Sequence, residues 1–480
     1  MKAKFILIWL LILIVFHLTA QTTSMVIDLR PGNFGSSINK LFVYQNNLYF
    51  KGTEDGIDLH SLWKCDGKNY PEKLLSECYS LKDFCIYNDL LFFSYNSELW
   101  SYDGINPPSQ EVTILQGEGA SMFSVYHDTL FFNSVHNYYG NELFFYDGTN
   151  SAEIFYDIIS GVTYSSPDNY TVYNDALYFC PISGNFDLWC YNSDTIGAVD
   201  ETNNMIPNNL FVYNDYLFFS GRKNYGIELW KYNSLDQTLI EYDIFPDSIF
   251  YYDSTSGAHY YIQNSSNPQG FCEYQDTLYF IAKDTSSLEL TIWSYHETNG
   301  AKMARHIAGN NTEFGNLIFF DNSLYFTCND SSHGKELWKY NHLTEPQLVH
   351  DIAIGNAGSS PLYLTVFDNK LYFTADDRQN YGRELWVHDP LSNNIESLEG
   401  KVSLSIFPNP SNNLLNYVVH DSFKMQNATI AIFDNAGKMI KENKIINNKG
   451  SIDVSDISSG IYFFILSYEL GKIHKKVLIN

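Results

Sequence analysis

Tyr87-Asn88-Asp89-Leu90-Leu91-Phe92-Phe93, followed after four residues by Glu98-Leu99-Trp100-Ser101-Tyr102-Asp103-Gly104, is the stretch that decides the fold. Its first half, an aromatic, two or three turn-formers, then Leu and two aromatics, recurs eight times, with Leu48, Leu91, Leu130, Leu177, Leu217, Leu278, Leu324 and Leu371 in place. The intervals run from 39 to 61 residues and average about 46. Downstream stand Trp63, Trp100, Phe144, Trp189, Trp230, Trp293, Trp338 and Trp386, so seven of the eight Trp occupy one repeat position. Each unit reads as four short strands; in the first these are 41–44, a turn at 45–47, 48–50, 59–65 and one more. Asp-Gly pairs at 66–67, 103–104 and 147–148 supply the positive φ of a tight hairpin. Four strands in about 46 residues is the size of a β-propeller blade. Near-continuous apolar runs such as 217–219 fit sheets buried on both faces.

The expected fold is therefore all-β: an eight-bladed propeller, or a seven-bladed one with a unit outside, over residues 21–400. Asp28-Leu29-Arg30-Pro31-Gly32 with Ser36-Ser37 resembles elements at 157–167 and 351–361, so a strand at 26–29 is expected to pair into the last blade and close the ring.

Composition removes several function classes. With 29 Lys and Arg against 55 Asp and Glu, the net charge is -26, which argues against nucleic acid as a partner. The 37 Tyr and 34 Phe favour strands. Residues 1–20 carry Lys2 and Lys4 before a 14-residue apolar run, a secretory signal peptide with cleavage between Ala20 and Gln21. That run is too short to span a bilayer, so no transmembrane anchor is expected in the mature chain. The last 80 residues differ from the body, with nine Lys against six acids, whereas 21–400 carries -31. Alternating runs at 429–433 and 461–466 predict a small Ig-like β-sandwich over 401–480.

In that tail, Pro408-Asn409-Pro410, the turn from Phe433 through Asp434 and Gly437 to Lys438, the strand Gly460-Ile461-Tyr462-Phe463 and the closing Lys475-Lys476 resemble the type A C-terminal sorting domain of type IX secretion. The resemblance implies export across both membranes of a Bacteroidetes-type cell to its surface or the medium, with the export machinery and a sortase-like protease as partners. The body resembles the E-L-W-x-x-D-G-T repeat proteins of secreted bacterial chains through Glu98-Leu99-Trp100 with Asp103-Gly104, and Glu142-Leu143 with Asp147-Gly148-Thr149. Later units keep only the Glu-Leu-Trp, and that family implies no single activity.

Candidate chemistry is sparse. Two places before each repeat Trp or Phe lie Ser61, Glu98, Glu142, Asp187, Glu228, Thr291, Glu336 and Glu384, six of them acidic. As ligands they would suit calcium, the one cofactor the acidity favours, but no EF-hand loop or Gly-Asp nonapeptide is present. A packing role repeated in each unit is the stronger reading, with the carboxylates accepting backbone bonds from the loops at Gly140, Gly226, Gly334 and Gly382. The 61-residue interval holds an extra hairpin with Tyr251, Tyr252, His259, Tyr260 and Tyr261, rings suited to stacking on sugars or to packing on a neighbouring blade. No nucleophile elbow, zinc helix or phosphate loop occurs, so no catalytic residue is assigned. Of seven Cys, Cys180 with Cys190 and Cys78 with Cys85 could bridge. The leading expectation is a secreted binding module for a polysaccharide or protein ligand. A carbohydrate-active hydrolase or lyase using carboxylates near the axis is the alternative, and a structural surface component the third.

Overall fold

A computed structural model describes residues 22–390 and 403–479, with short breaks of which the longest are 55–59, 284–288, 307–314, 408–412 and 421–427. The chain forms two compact units, one spanning Thr22–Pro390 and the other containing Leu391–Asn480. The expected signal peptide, with its cleavage between Ala20 and Gln21, lies outside the described residues.

The larger unit holds eight four-stranded antiparallel sheets, at 39–78, 81–112, 117–156, 167–198, 208–242, 269–305, 318–350 and 362–389. They are numbered here in that order. The first strand of each sheet lies against the first strand of the next, and that of the eighth lies against that of the first. This is the arrangement of a β-propeller. The eighth sheet contains only three strands of its own; Thr22–Ile27 pairs with Arg383–Asp389 and completes it, Thr22 opposite Asp389 and Ile27 opposite Leu385. The closing strand thus ends at Ile27, and Asp28 and Leu29 belong to the connection that follows it.

The repeat's turn residues have a definite geometry. In all eight sheets the first hairpin places two consecutive residues at positive φ, from Gln45 and Asn46 at 44° and 54° to Asp368 and Asn369 at 47° and 55°. That is a type I′ turn, whose twist matches the strands and which Asn and Asp tolerate best after glycine. The aromatic before each turn reaches the next sheet. Tyr44 donates to the Asp89 carbonyl at 2.6 Å, Tyr87 to Asp128 at 2.8 Å, Tyr126 to Asp175, Tyr173 to Asp215, Tyr213 to Asp276 and Tyr274 to Asn322. Phe320 and Phe367 hold this position in the last two sheets and have no hydroxyl to donate.

The two aromatics after each Leu pack between sheets: Tyr49, Phe50, Phe92, Phe93, Phe131 and Phe132 are buried, and clusters join each sheet to its neighbours. Asp66, Asp103 and Asp147 close the later hairpins by accepting the backbone N–H groups two and three residues on. Where Asp-Gly has eroded, Asn192 and Asn341 make the same turn.

Neither of the two possible disulfides forms. All seven Cys are free thiols. Cys190 lies opposite Tyr178, not Cys180, and Cys78 ends the outer strand of one sheet whereas Cys85 lies on the innermost strand of the next. In the tail, a three-stranded and a four-stranded sheet share a core of Leu415, Ile430, Ile432, Phe464, Leu466 and Val477 among others.

Candidate functional site

The recurring acidic position resolves into a clasp. Glu142 Oε1 accepts the Ser165 N–H at 2.9 Å, and its Oε2 accepts the Ile158 N–H at 3.0 Å and the Ser165 hydroxyl at 2.5 Å. Glu336 binds Ala353 N, Ser359 N and the Ser359 hydroxyl in the same way. Glu384 takes Leu29 N at 3.1 Å and the Ser36 hydroxyl at 2.5 Å, from the segment that follows the closing strand. The bonds therefore come from the connection leading into the neighbouring sheet, not from the glycine loops expected to supply them. The glycines instead let that connection approach, since a Cβ on Gly140 would lie 2.6 Å from the Thr163 carbonyl, and one on Gly382 2.3 Å from Gly35 N. Burial outweighs the clasp bonds and pushes Glu142 and Glu384 up to about 7. Asp187 accepts Asn204 N instead, and Thr291 donates to the Ala282 carbonyl. Glu142, Glu336 and Glu384 are thus committed to holding the ring together, as is Glu228.

Glu228 makes the clasp that positions the hairpin. Its Oε2 accepts Ile244 N at 3.0 Å, Phe245 N at 3.4 Å and the Ser266 hydroxyl at 2.6 Å, while Oε1 accepts Ser266 N at 3.0 Å. Between those two feet, Ile249–Asp253 and Ala258–Ile262 form a two-stranded sheet of their own. Tyr251 stands opposite Tyr260, Tyr252 opposite His259, and Phe250 opposite Tyr261. All five residues expected to bind are therefore brought into one ribbon. The turn at 254–257 lies outside the described residues.

Two carboxylates on the first strands of their sheets have partners. Asp83, on the innermost strand of the second sheet, pairs with Lys40 Nζ at 2.6 Å and accepts Met122 N at 2.9 Å. Asp168 accepts Asn169 N at 2.6 Å. A grouping that no sequence motif announces sits at the turn tips of the third and fourth sheets: His127 Nδ1 is 2.9 Å from Ser193 Oγ and its Nε2 is 2.5 Å from Asp175 Oδ1, with the Tyr126 ring stacked on the imidazole. His127, Asp175 and Ser193 are far apart in sequence and exposed, whereas Tyr126 is buried beneath them. Among the described residues no cluster of three or more His, Cys, Asp or Glu could hold a metal ion, and no helix is long and apolar enough to cross a membrane.

In the tail, Tyr462 is buried in the shared core and donates to the Ser458 carbonyl at 2.8 Å. Gly460 opens the strand Gly460–Tyr468, which pairs with Gly471–Ile479, and places Phe463 opposite Lys476 and Phe464 opposite Lys475. Lys438 is exposed beside the strand Met439–Lys444. Pro408, Asn409, Pro410, Asp434 and Gly437 lie outside the described residues.

Residues 405–480 match the secretion system C-terminal sorting domain family. That domain marks proteins exported by type IX secretion to the cell surface or extracellular space, and it implies an interaction with that machinery. No curated protein matches the chain. Among solved structures, the designed Ika8 protein is similar at 11% identity and TM-score 0.47, over 74% of this chain and 97% of that one. The β-propeller domain of the Trilobed protease from Pyrococcus furiosus is similar at 8% identity and TM-score 0.40, over 66% and 98%. PorZ, a surface component of the type IX secretion system of Porphyromonas gingivalis, is similar at 11% identity and TM-score 0.24, over 92% and 75%.

Proposed function

We propose that this chain is an exported eight-bladed β-propeller of the E-L-W-x-x-D-G-T type that binds a polysaccharide or surface protein. An Ig-like sorting domain at 401–480 delivers it, and a sortase-like protease removes that domain. The observation that carries the reading is the aromatic hairpin at 249–262, inserted in a connection whose feet are both fixed by buried Glu228. An aromatic-rich ribbon held between two fixed feet has its backbone already paired, which lowers the entropy cost of binding. The axial carboxylates favour the hydrolase reading less, because Asp83 is already paired with Lys40.

Incubating the mature chain with a panel of polysaccharides, and scoring retained protein and released reducing ends together, tests the reading. Retention without products is expected, and Tyr251→Ala with Tyr260→Ala should weaken it while the melting temperature stays put. Released products would make the protein an enzyme. Retention indifferent to the double variant would sink the hairpin as the site.

A further inference from the structure

The residue after the repeat Trp is a lysine at 64, 231 and 339, and Lys64 and Lys231 bridge the gap to the neighbouring sheet. Lys64 Nζ lies 3.3 Å from the Tyr102 hydroxyl of the second sheet and 5.6 Å from its ring centre. Lys231 Nζ lies 2.9 Å from the Tyr295 hydroxyl of the sixth sheet, 2.9 Å from Glu297 Oε1 and 3.4 Å from the centre of the Tyr216 ring. Tyr102 and Tyr295 each stand two places beyond their own Trp. Buried ammonium groups are costly unless hydroxyl, carboxylate and aromatic faces compensate, and Lys231, with its side chain only 4% exposed, has all three.

Between the fourth and fifth sheets the same frame stands without an ammonium. Tyr232 occupies the place of Tyr102 and Tyr295. Tyr178 packs on it at 6.2 Å, as Tyr49 packs on Tyr102 at 6.0 Å and Phe218 on Tyr295 at 4.8 Å. The bridging position, however, is Cys190, which is too short to cross. Opposite it lies Gly197, at the register position held elsewhere by Glu72, Ser109, Glu153, Ile240, Lys302 and Gln347. A Cβ on Gly197 would meet nothing within 4 Å. The two outer strands here, Trp189–Tyr191 and Ile196–Ala198, have three residues each, against nine and five in the fifth sheet.

Shortened strands and missing side chains leave a cavity of about 540 Å³ lined by Tyr178, Cys190 and Tyr232, with Asp200 and Glu201 contributed by a short 3-10 turn. No Lys or Arg is among its described lining residues. Burial, and then the Glu201 carboxylate, push the Tyr232 hydroxyl up to about 12, so negative charge reaches the ring that would receive a cation.

We propose that this wedge binds a primary alkylammonium group, from a lysine side chain of a partner protein or from a small diamine, in the place that Lys64 and Lys231 fill in two of the other wedges. The wedge of Lys231 supplies the pattern, with tyrosine hydroxyl, aromatic face and carboxylate around one Nζ, and that of Lys64 repeats the hydroxyl and the aromatic face with the Gly104 carbonyl in place of the carboxylate. Anionic ligands are disfavoured there by the two carboxylates.

Cys190 provides the readout. The mature chain is alkylated with iodoacetamide in the presence of 1,5-diaminopentane, acetyl-lysine amide or 1-pentanol, and modification is followed by peptide mass mapping at Cys190 and at the other partly exposed thiols, Cys85 and Cys272. Either amine should slow Cys190 about tenfold at roughly ten times its Kd, leaving the other two thiols unchanged. The stronger protector identifies the source, peptide or diamine. Cys190→Lys should fill the wedge from within, raising the thermal midpoint and abolishing the midpoint shift that the amine gives the parent chain. Should that variant misfold, labelling of the parent chain still decides. An unchanged rate at Cys190, equal slowing at all three thiols, or equal protection by pentanol would overturn the proposal.

Discussion

Glu142 and Glu384 make the same clasp at very different separations. Glu142 holds a serine 23 residues away, whereas Glu384 holds one 348 residues away, because its partner segment follows the N-terminal strand. Loop-closure entropy grows only with the logarithm of length, so the longer closure costs about 2 kcal/mol more by that measure alone. The closing region offsets this with a whole strand, Thr22–Ile27, laddered onto Arg383–Asp389. It also lacks what the rest of the ring has: six junctions carry a tyrosine hydroxyl bond to the next sheet, while Phe320 and Phe367 leave the last two without one. A ring built of near-identical parts therefore has one region stabilised differently from the others.

The largest expected effect comes from removing residues 21–33, which strips the closing strand and bares the edge of Arg383–Asp389. The thermal midpoint should fall more than for any substitution below, and an unchanged melt would mean the ends of the ring do not depend on each other. Next, Glu384→Ala and Glu142→Ala should each cost about 2–4 kcal/mol, since buried hydroxyl and N–H donors lose their acceptor. Unfolding kinetics in denaturant should separate the two, with Glu384→Ala accelerating unfolding more; equal acceleration would erase the distinction between internal and closing clasps.

A smaller effect follows from pH. Both carboxyls sit at about 7 in the fold against their ordinary 4.5, so the folded state binds protons more tightly than the unfolded one. Their contribution to stability is then fullest below pH 4.5 and declines as pH rises through 7. The midpoint should be higher near pH 5 than near pH 8 by a few degrees, and the double variant Glu142→Gln, Glu384→Gln should flatten that difference. A midpoint that instead rises across this range in the parent, unaltered by the variant, would count against the buried carboxyls as its cause. Smallest of all, Tyr87→Phe should cost about 1 kcal/mol in equilibrium unfolding, the worth of one inter-sheet hydrogen bond. No loss would mean that Phe320 and Phe367 mark no weakness.

Much of the ring was legible because its signals are local. Leu with two aromatics marks a strand packed on both faces, and Asn88-Asp89 or Asn214-Asp215 marks a turn needing positive φ. The extra hairpin was visible as surplus length. The clasp was only half visible: Glu142 and the similarity of 157–167 to 351–361 stood in the sequence, but nothing local tied the carboxylate to Ser165, because the bond forms across the edge between sheets. The paired serines, Ser36-Ser37, Ser165-Ser166 and Ser359-Ser360, were the available signal. Cysteine spacing was uninformative for the complementary reason, since the nine residues between Cys180 and Cys190 say nothing about which position on the facing strand each meets. The wedge beside Cys190 was hidden altogether. It exists through absent side chains, and absence shows only when strands are aligned by register.

The closing strand also makes the ring a test of its own completeness. The eighth sheet joins the strand nearest the N-terminus to the last strand of the larger unit, so a chain that stops short of Arg383 offers nothing for Thr22–Ile27 to pair with. During vectorial synthesis, sheet after sheet can form while that first strand waits with unsatisfied backbone. Only a chain that reaches Asp389 gives that strand its partner; a truncated one keeps it unpaired and adhesive, and so remains recognisable to chaperones and proteases.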